Sequence, residues 1–398
     1  MDITIQPHKL KGTVNIIPSK SQAHRYLICA AFADKPTTIF CPETNQDIIA
    51  TASCLESIGA RITRIDSGFV VNPIQLVPEE CEIDCGESGS TLRFLLPVFG
   101  ALGIRTTIHM HGRLPERPLS PLWEEMERMG CQLSRLPNGS IQCRGRLSAG
   151  QYCISGTVSS QFVSGLLFAM SILDGESTLK ITDRLESAPY VHMTTRALRD
   201  FGINADSYHI HGRPKLNSPG DITIEGDWSN GAFFLAASGI GNDVRTENLR
   251  DDSIQGDRAV SDFIKQLDDR STISAADTPD LIPILSVVAA AKQGATFTDI
   301  QRLRMKESDR VAAIESMLHA LGIKTTSTEN TLTVYPGNFT GGTVDAFNDH
   351  RIAMSAAIAA TIAAGPVTIL GAQSVCKSYP SFWEVYSSLG GKYEQYIR

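Results

Sequence analysis

Six times along this chain a short polar motif is followed by an apolar stretch of helix length. The motifs are Pro18-Ser19-Lys20-Ser21-Gln22-Ala23-His24-Arg25, Glu87-Ser88-Gly89-Ser90-Thr91-Leu92-Arg93, Val158-Ser159-Ser160-Gln161, Gly226-Asp227-Trp228-Ser229-Asn230, Asp277-Thr278-Pro279-Asp280 and Asn348-Asp349-His350-Arg351. They recur at intervals of roughly 50 to 70 residues, the mark of repeated supersecondary units. Each puts Ser, Asn, Asp or Gly where a helix N-cap belongs. A helix start offers free backbone N–H groups and a partial positive charge, so it suits anions. Several motifs add a lysine or an arginine. If the repeats converge, they predict one strongly anionic ligand site.

Each unit continues in the same order. The apolar helix gives way to a short strand such as Thr37-Thr38-Ile39-Phe40 or Thr106-Thr107-Ile108-His109, and an amphipathic helix follows. That second helix often ends near a glycine, as at Gly59, Gly130, Gly202 and Gly322, a C-cap signal. Strand pairs around turns such as Asp66-Ser67-Gly68 close the unit. Alternating helices and strands predict an α/β or α+β fold. A chain of 398 residues suggests two domains, hence three units in each. Boundaries fall at residues 16–20 and 225–227, just ahead of repeat motifs. The predicted domains are 1–18 plus 226–398, and 19–225. The first is discontinuous because the strand-like start Met1-Asp2-Ile3-Thr4-Ile5 is expected to complete the last three units.

Composition narrows the function. A net charge of −7 argues against nucleic acid as a partner, since phosphate-backbone binders carry a basic surface. Any basic residues that matter act locally. Nine cysteines, an odd number in a long chain, fit free thiols in a reducing compartment. No leader and no apolar run long enough to span a bilayer is visible, so a cytoplasmic location is expected. Cys81 and Cys85 lack a second pair to complete a zinc set. His109 with His111, and His209 with His211, have strand-neighbour spacing. No carboxylate or third ligand stands near them in the sequence, so no metal role is expected.

Seven motifs, taken together and in order, carry a resemblance. Lys20-Ser21-Gln22-Ala23-His24-Arg25, Gly89-Ser90-Thr91-Leu92-Arg93, Glu116-Arg117-Pro118, Ser159-Ser160-Gln161, Lys306-Glu307-Ser308-Asp309-Arg310, Asn348-Asp349-His350-Arg351 and Cys376-Lys377-Ser378-Tyr379-Pro380 run from Pro18 to Pro380. This order closely resembles the 5-enolpyruvylshikimate-3-phosphate synthase family of enolpyruvyl transferases. The resemblance implies a two-domain enolpyruvyl transferase fold, each domain made of three β-α-β-α-β-β units in an inside-out α/β barrel, closing over the substrates. It implies transfer of the enolpyruvyl group of phosphoenolpyruvate to the 5-hydroxyl of shikimate 3-phosphate through a tetrahedral adduct. No cofactor and no metal are implied, and a monomer is expected.

The resemblance also implies roles. Ser21 and Arg25 hold the shikimate carboxylate; Ser159, Ser160 and Ser187 hold its phosphate, with Tyr190 lining the pocket. Lys20, Asp280 and Lys306 belong to the shikimate 3-phosphate set as well. Gln161 bridges both substrates. Arg93, Arg117, Arg310, Arg351 and Lys377 hold phosphoenolpyruvate with Lys20, and Gly89 allows close backbone approach. Asp280 handles the hydroxyl proton and Glu307 the methyl proton. Lys20 neutralises departing phosphate. Two phosphates near −2 and two carboxylates make about six negative charges, which need cations and helix starts to meet them. Glu87 stands where most relatives carry asparagine and is given no binding role; Arg302 has no assigned role.

Taken singly, each motif has a plainer reading. Ser159-Ser160 reads as a helix cap, and Asp280 as a capping acid after Pro279. Lys306, Glu307 and Arg310 read as a solvated helical face with an i,i+3 pair. His350 reads as a packed residue. Two rival functions share the fold. A UDP-N-acetylglucosamine enolpyruvyl transferase typically has Lys-Asn in place of Lys20-Ser21 and a lid cysteine, which Gly112-Arg113-Leu114-Pro115-Glu116-Arg117-Pro118-Leu119 lacks. A non-catalytic binding protein is expected to lose acid–base residues, yet Lys20, Asp280 and Glu307 are present.

Overall fold

The computed structural model describes residues 1–211 and 215–396. The chain divides into a continuous unit, Pro18–Ile224, and a discontinuous one, Met1–Ile17 with Glu225–Arg398. The continuous unit holds helices α1 (Lys20–Ala31), α2 (Gln46–Ser57), α3 (Gly89–Leu102), α4 (Leu122–Arg128), α5 (Ser160–Met170) and α6 (Ala188–Asp200). The discontinuous unit holds α7 (Trp228–Gly239), α8 (Val260–Gln266), α9 (Ile282–Ala291), α10 (Arg310–Ala320), α11 (His350–Ala360) and α12 (Phe382–Ser388).

Odd- and even-numbered helices do different jobs. Helices such as α5, Ser-Gln-Phe-Val-Ser-Gly-Leu-Leu-Phe-Ala-Met, are apolar all round and bury almost every residue, as do α3, α9 and α11. Helices α2, α6 and α10 expose one face and bury the other. The buried helices start where the polar motifs stand. Side chains of Ser19, Ser88, Ser159, Asp227 and Asp349 accept from the backbone N–H of Gln22, Thr91, Gln161, Asn230 and Arg351. The fifth motif departs from this. Pro279–Leu281 forms a 3-10 turn and no side chain caps α9. Asp280 lies inside that turn rather than ahead of the helix, so its carboxylate is directed elsewhere.

The strands form six separate sheets of two to four strands among the described residues, with no closed barrel. Glu80–Asp84, α3, Arg105–His109, α4, Cys131–Arg135 and Ile141–Gly145 make one complete β-α-β-α-β-β unit. Its first two strands are parallel and the rest antiparallel. Ser271–Ser274 to Thr331–Val334, around α9 and α10, repeats the pattern. Parallel pairs need a crossover helix, whereas antiparallel pairs close with a turn, which fixes this order. The N-terminal strand Asp2–Gln6 lies between Val367–Leu370 and Lys392–Tyr396, with Ile3 opposite both Ile369 and Gln395. Each unit has its own apolar core.

One glycine sets the spacing of two buried helices. A Cβ on Gly165 of α5 would sit 2.1 Å from the Arg93 carbonyl of α3, far inside contact distance. The backbones therefore approach closely where Arg93 leaves α3. Gly165→Ala forces the helices apart, and overpacking of this kind costs about 1–3 kcal/mol. The expected result is a lower urea midpoint with an unchanged slope. An unshifted midpoint would show that this contact does not set the spacing.

Candidate active site

In the continuous unit, helix starts gather. Lys20, the first residue of α1, places Nζ 2.9 Å from Asp47 Oδ2 at the start of α2. The Asp47 carbonyl accepts from Thr91 Oγ1 of α3, which also bonds Ser88 at 2.7 Å and Thr51 at 2.7 Å. Thr51 bonds His24 Nδ1, a buried imidazole. Burial first, then the Lys20 and Arg25 charges, hold its pKa well below the usual histidine range, so the ring is neutral. Ser90 of α3 accepts from Gln161 Nε2 of α5, and Gln161 Oε1 accepts from Arg93 Nη1 at 2.8 Å. Arg93 also donates to the Pro118 carbonyl and lies over the Phe162 ring.

Arg25 is 3% exposed. Its Nε donates to Thr194 Oγ1 at 2.8 Å, Nη1 to the Ser21 carbonyl and Nη2 to the Tyr190 carbonyl. These partners are hydroxyl and carbonyl oxygens rather than carboxylates. Burial pushes its pKa down to about 10. A buried guanidinium held only by neutral groups is a cation poised for an anion. Thr194 in turn bonds Ser164 of α5, so α1, α5 and α6 meet at this point.

Gly89 opens α3 without a side chain for a steric reason. A Cβ there would meet Arg117 Nη1 at 2.7 Å and Arg93 Nη1 at 3.1 Å. Both guanidinium groups thus crowd the start of α3. Ser159 caps α5, and Ser160 and Ser187 are buried at the starts of α5 and α6. Ser187 adopts a left-handed φ of 55°. The Glu87 carboxylate lies against Gly112, where a Cβ would come within 2.5 Å of it.

In the discontinuous unit, three helix starts converge on Asp280. Its Oδ1 lies 2.6 Å from Arg310 Nη1 and 3.6 Å from Lys306 Nζ, and its Oδ2 lies 2.9 Å from Arg351 Nη2. Arg310 opens α10, is 1% exposed, and also bonds Glu307 Oε2 at 2.6 Å and Asp349 Oδ2 at 2.8 Å. Ser308 donates to the same Asp349 oxygen. Lys377 Nζ donates to the Asn348 carbonyl at 2.8 Å, just before α11. Its neighbour Ser378 bonds Asn230 at the start of α7. The solvated helical face read from Lys306, Glu307 and Arg310 alone is therefore incorrect. Only Arg310 is helical, and it is buried inside a network of acids.

Charge sets the proton affinities here. Burial alone raises the Asp280 pKa, but the Arg351, Lys306 and Arg310 charges outweigh it and hold the carboxylate well below its usual range. Burial pushes Lys306 down to about 8, against the pull of Asp280 and with the push of Arg310 and Arg302. Arg302, buried at 9% exposure, thus acts on Lys306 through its field.

The sequence motifs thus assemble as two sets. Lys20, Ser21, Arg25, Gly89, Arg93, Arg117, Ser159, Ser160, Gln161 and Ser187 lie in the continuous unit. Asp280, Lys306, Glu307, Arg310, Arg351 and Lys377 lie in the discontinuous one. Sequence reasoning missed Asp47, Thr194 and the central part of Asp349. Asp47 is an acid in a first helical turn, a common pattern that names no partner. Asp349 stood inside a motif and was legible only as a cap.

No helix among the described residues is long and apolar enough to cross a membrane. Residues 5–386 match the family described as EPSP synthase (3-phosphoshikimate 1-carboxyvinyltransferase). The chain is 36% identical to a 3-phosphoshikimate 1-carboxyvinyltransferase of Clostridium beijerinckii, over 99% of each chain. It is 38% identical to that of Clostridium acetobutylicum, over 98% of this chain and 97% of the relative. Among solved structures, EPSP synthase from Acinetobacter baumannii superposes with a TM-score of 0.80 at 24% identity, covering 99% of this chain and all of the other. The enolpyruvyl transferase NikO from Streptomyces tendae does so with 0.76 at 19% identity, covering 99% and 98%. These two likenesses concern the fold.

Proposed function

This chain belongs to the EPSP synthase (3-phosphoshikimate 1-carboxyvinyltransferase) family, and from that premise we propose how its own side chains carry the reaction. The enzyme transfers the enolpyruvyl group of phosphoenolpyruvate to the 5-hydroxyl of shikimate 3-phosphate through a tetrahedral adduct. Phosphate is released, and the step belongs to the shikimate pathway. The observation that carries the residue assignment is the Asp280 cluster, where one carboxylate faces Arg310, Arg351 and Lys306.

The shikimate 3-phosphate set is Lys20, Ser21, Arg25, Ser159, Ser160, Gln161, Ser187, Asp280 and Lys306. Arg25 supports this reading because its neutral partners leave its charge to be met by a carboxylate. The phosphoenolpyruvate set is Lys20, Gly89, Arg93, Arg117, Gln161, Arg310, Arg351 and Lys377. Arginines suit its phosphate and carboxylate because the guanidinium fork binds both in a bidentate way. The lack of a side chain at Gly89 lets the Arg93 and Arg117 guanidinium groups lie against the start of α3, where an anion would meet both. The reaction needs no cofactor. The nine cysteines are all free, which supports a reducing, cytoplasmic setting. A monomer is the proposed form, to be checked by light scattering.

Three steps move protons. The hydroxyl of shikimate 3-phosphate loses one, the methylene of phosphoenolpyruvate gains one, and the methyl of the adduct later gives one up. Asp280 takes the hydroxyl proton and Glu307 serves the methyl end. As found, Asp280 is a weak base, since three cations stabilise its ionised form. Bound anions change that in two ways. They raise the proton affinity of Asp280 by their own charge, and they compete for the Arg310 and Arg351 donors. The substrate thus strengthens the base that acts on it. Lys20 meets the phosphate as it leaves, and Lys306 supplies a charge whose presence depends on pH.

That dependence gives a test of this assignment. Lys306 loses its proton as pH rises through about 8, and with it one cation of the set. The turnover per KM, which reports the free enzyme, is expected to fall on that limb. Arginine stays charged throughout, so Lys306→Arg is expected to move the limb to higher pH even while it lowers the rate. A limb that stays in place would remove Lys306 from the binding set.

A further inference from the structure

We propose that Glu176, His209 and His211 form a surface site for a divalent transition-metal ion, with Zn²⁺ as its ligand. The site is separate from every residue in the proposed reaction. The sequence offered His209 and His211 without a third ligand. The carboxylate comes instead from 33 residues away, across a strand pair. Ser177–Ile181 runs antiparallel to His209–Ile210, with Ser177 opposite Ile210 and Thr178 opposite His209. Side chains alternate along a strand, so His209 and His211 share one face. Glu176, just before Ser177, continues the neighbouring strand on that same face.

The three groups already meet. His209 Nε2 lies 2.6 Å and His211 Nδ1 3.5 Å from the same Glu176 oxygen, Oε1. The imidazole rings sit with centroids 3.9 Å apart. One ligand atom from each residue lies within 4.8 Å of the others, and no other three such residues do so among the described residues. Zinc bonds of about 2.0–2.2 Å in a tetrahedron put ligand atoms roughly 3.3 Å apart. The observed spacings bracket that value, so small side-chain rotations complete the geometry. Two imidazoles and a carboxylate form a donor set that zinc accepts, with the fourth position open. The side chains are 29%, 64% and 78% exposed for His209, Glu176 and His211, which leaves the fourth position to water. The other histidine pair differs. His111 bonds Asp84 and His109 approaches Glu82, as two separate pairs.

The test is calorimetric titration of zinc chloride into the full chain after removal of bound metal with a chelator. One zinc per chain is expected. His209→Ala, His211→Ala and Glu176→Gln should each weaken binding at least about 10-fold, since even outer-shell changes cost that much. Glu176 and His211 are exposed and His209 half-buried, and none belongs to the proposed reaction set, so these substitutions are expected to leave the fold and the enolpyruvyl transfer rate unchanged. Cysteine thiolates also bind zinc, so cobalt substitution supplies a second readout. The visible spectrum should show nitrogen and oxygen ligation without a thiolate charge-transfer band. No saturable binding would overturn the proposal. So would binding that survives the His209→Ala/His211→Ala double substitution, or a thiolate band in the cobalt form.

Discussion

Asp280→Ala and Glu307→Gln are each expected to lower turnover by about 100-fold or more, the usual loss when a general acid or base is removed. The two carboxylates are joined through one guanidinium, Arg310, yet the proposed mechanism gives them opposite ends of the reaction. Asp280 also neutralises three cations, so its removal is expected to perturb shikimate 3-phosphate binding as well. Glu307→Gln keeps the size and one hydrogen-bonding oxygen, and should bind shikimate 3-phosphate normally while failing to turn over. The measurement is steady-state kinetics beside calorimetric binding of shikimate 3-phosphate. A turnover within about threefold of the parent, a change too small for a lost acid or base, would remove that residue from the mechanism.

Asp349→Ala is expected to destabilise the chain by about 2–4 kcal/mol: Asp280 and Glu307 still meet the Arg310 charge, but a buried donor loses its acceptor and α11 loses its cap. Asp349 is fully buried and does three things at once. It accepts from Arg310 Nε, accepts from Ser308 Oγ, and caps α11 through the Arg351 N–H. Removing a cap alone costs about 1 kcal/mol. Asp349→Asn keeps the cap oxygen but not the charge, and should fall between the two. Urea unfolding read by tryptophan fluorescence suits this, since Trp228 and Trp383 are both buried in the discontinuous unit. A loss under about 1 kcal/mol would mean that Asp349 acts only as a cap. In that case the ion network would not hold the site in shape.

These two predictions depend on features that differ in how far the sequence reveals them. Helix starts at Ser19, Ser88, Ser159, Asp227 and Asp349 were legible because capping is local: a side chain bonds an N–H two or three residues on. The strand-helix order was legible for the same reason. The start of α9 was not, since Asp280 has the composition of a cap but stands one step inside a 3-10 turn. Pairings were the least legible. Lys20 meets Asp47 across 27 residues, Arg310 meets Asp349 across 39, and Arg351 meets Asp280 across 71. Nothing in local pattern names a partner at that range. The same limit hid Glu176 from the two histidines it meets.

The proposed site residues were picked out by the order of seven motifs, while burial sets the chemistry open to them. Arg25, Arg310 and Asp349 look like ordinary charged residues in sequence, yet each is almost wholly enclosed. Enclosure is what moves Lys306 to about 8 and what makes a lone buried charge so costly.

The central claim is tested most directly by phosphate release from phosphoenolpyruvate, with shikimate 3-phosphate and UDP-N-acetylglucosamine offered separately to the same preparation. Arg25 with neutral partners and the three-cation cluster on Asp280 predict release with shikimate 3-phosphate and none above background with the nucleotide sugar. Release with UDP-N-acetylglucosamine alone, or with neither acceptor, would contradict the account.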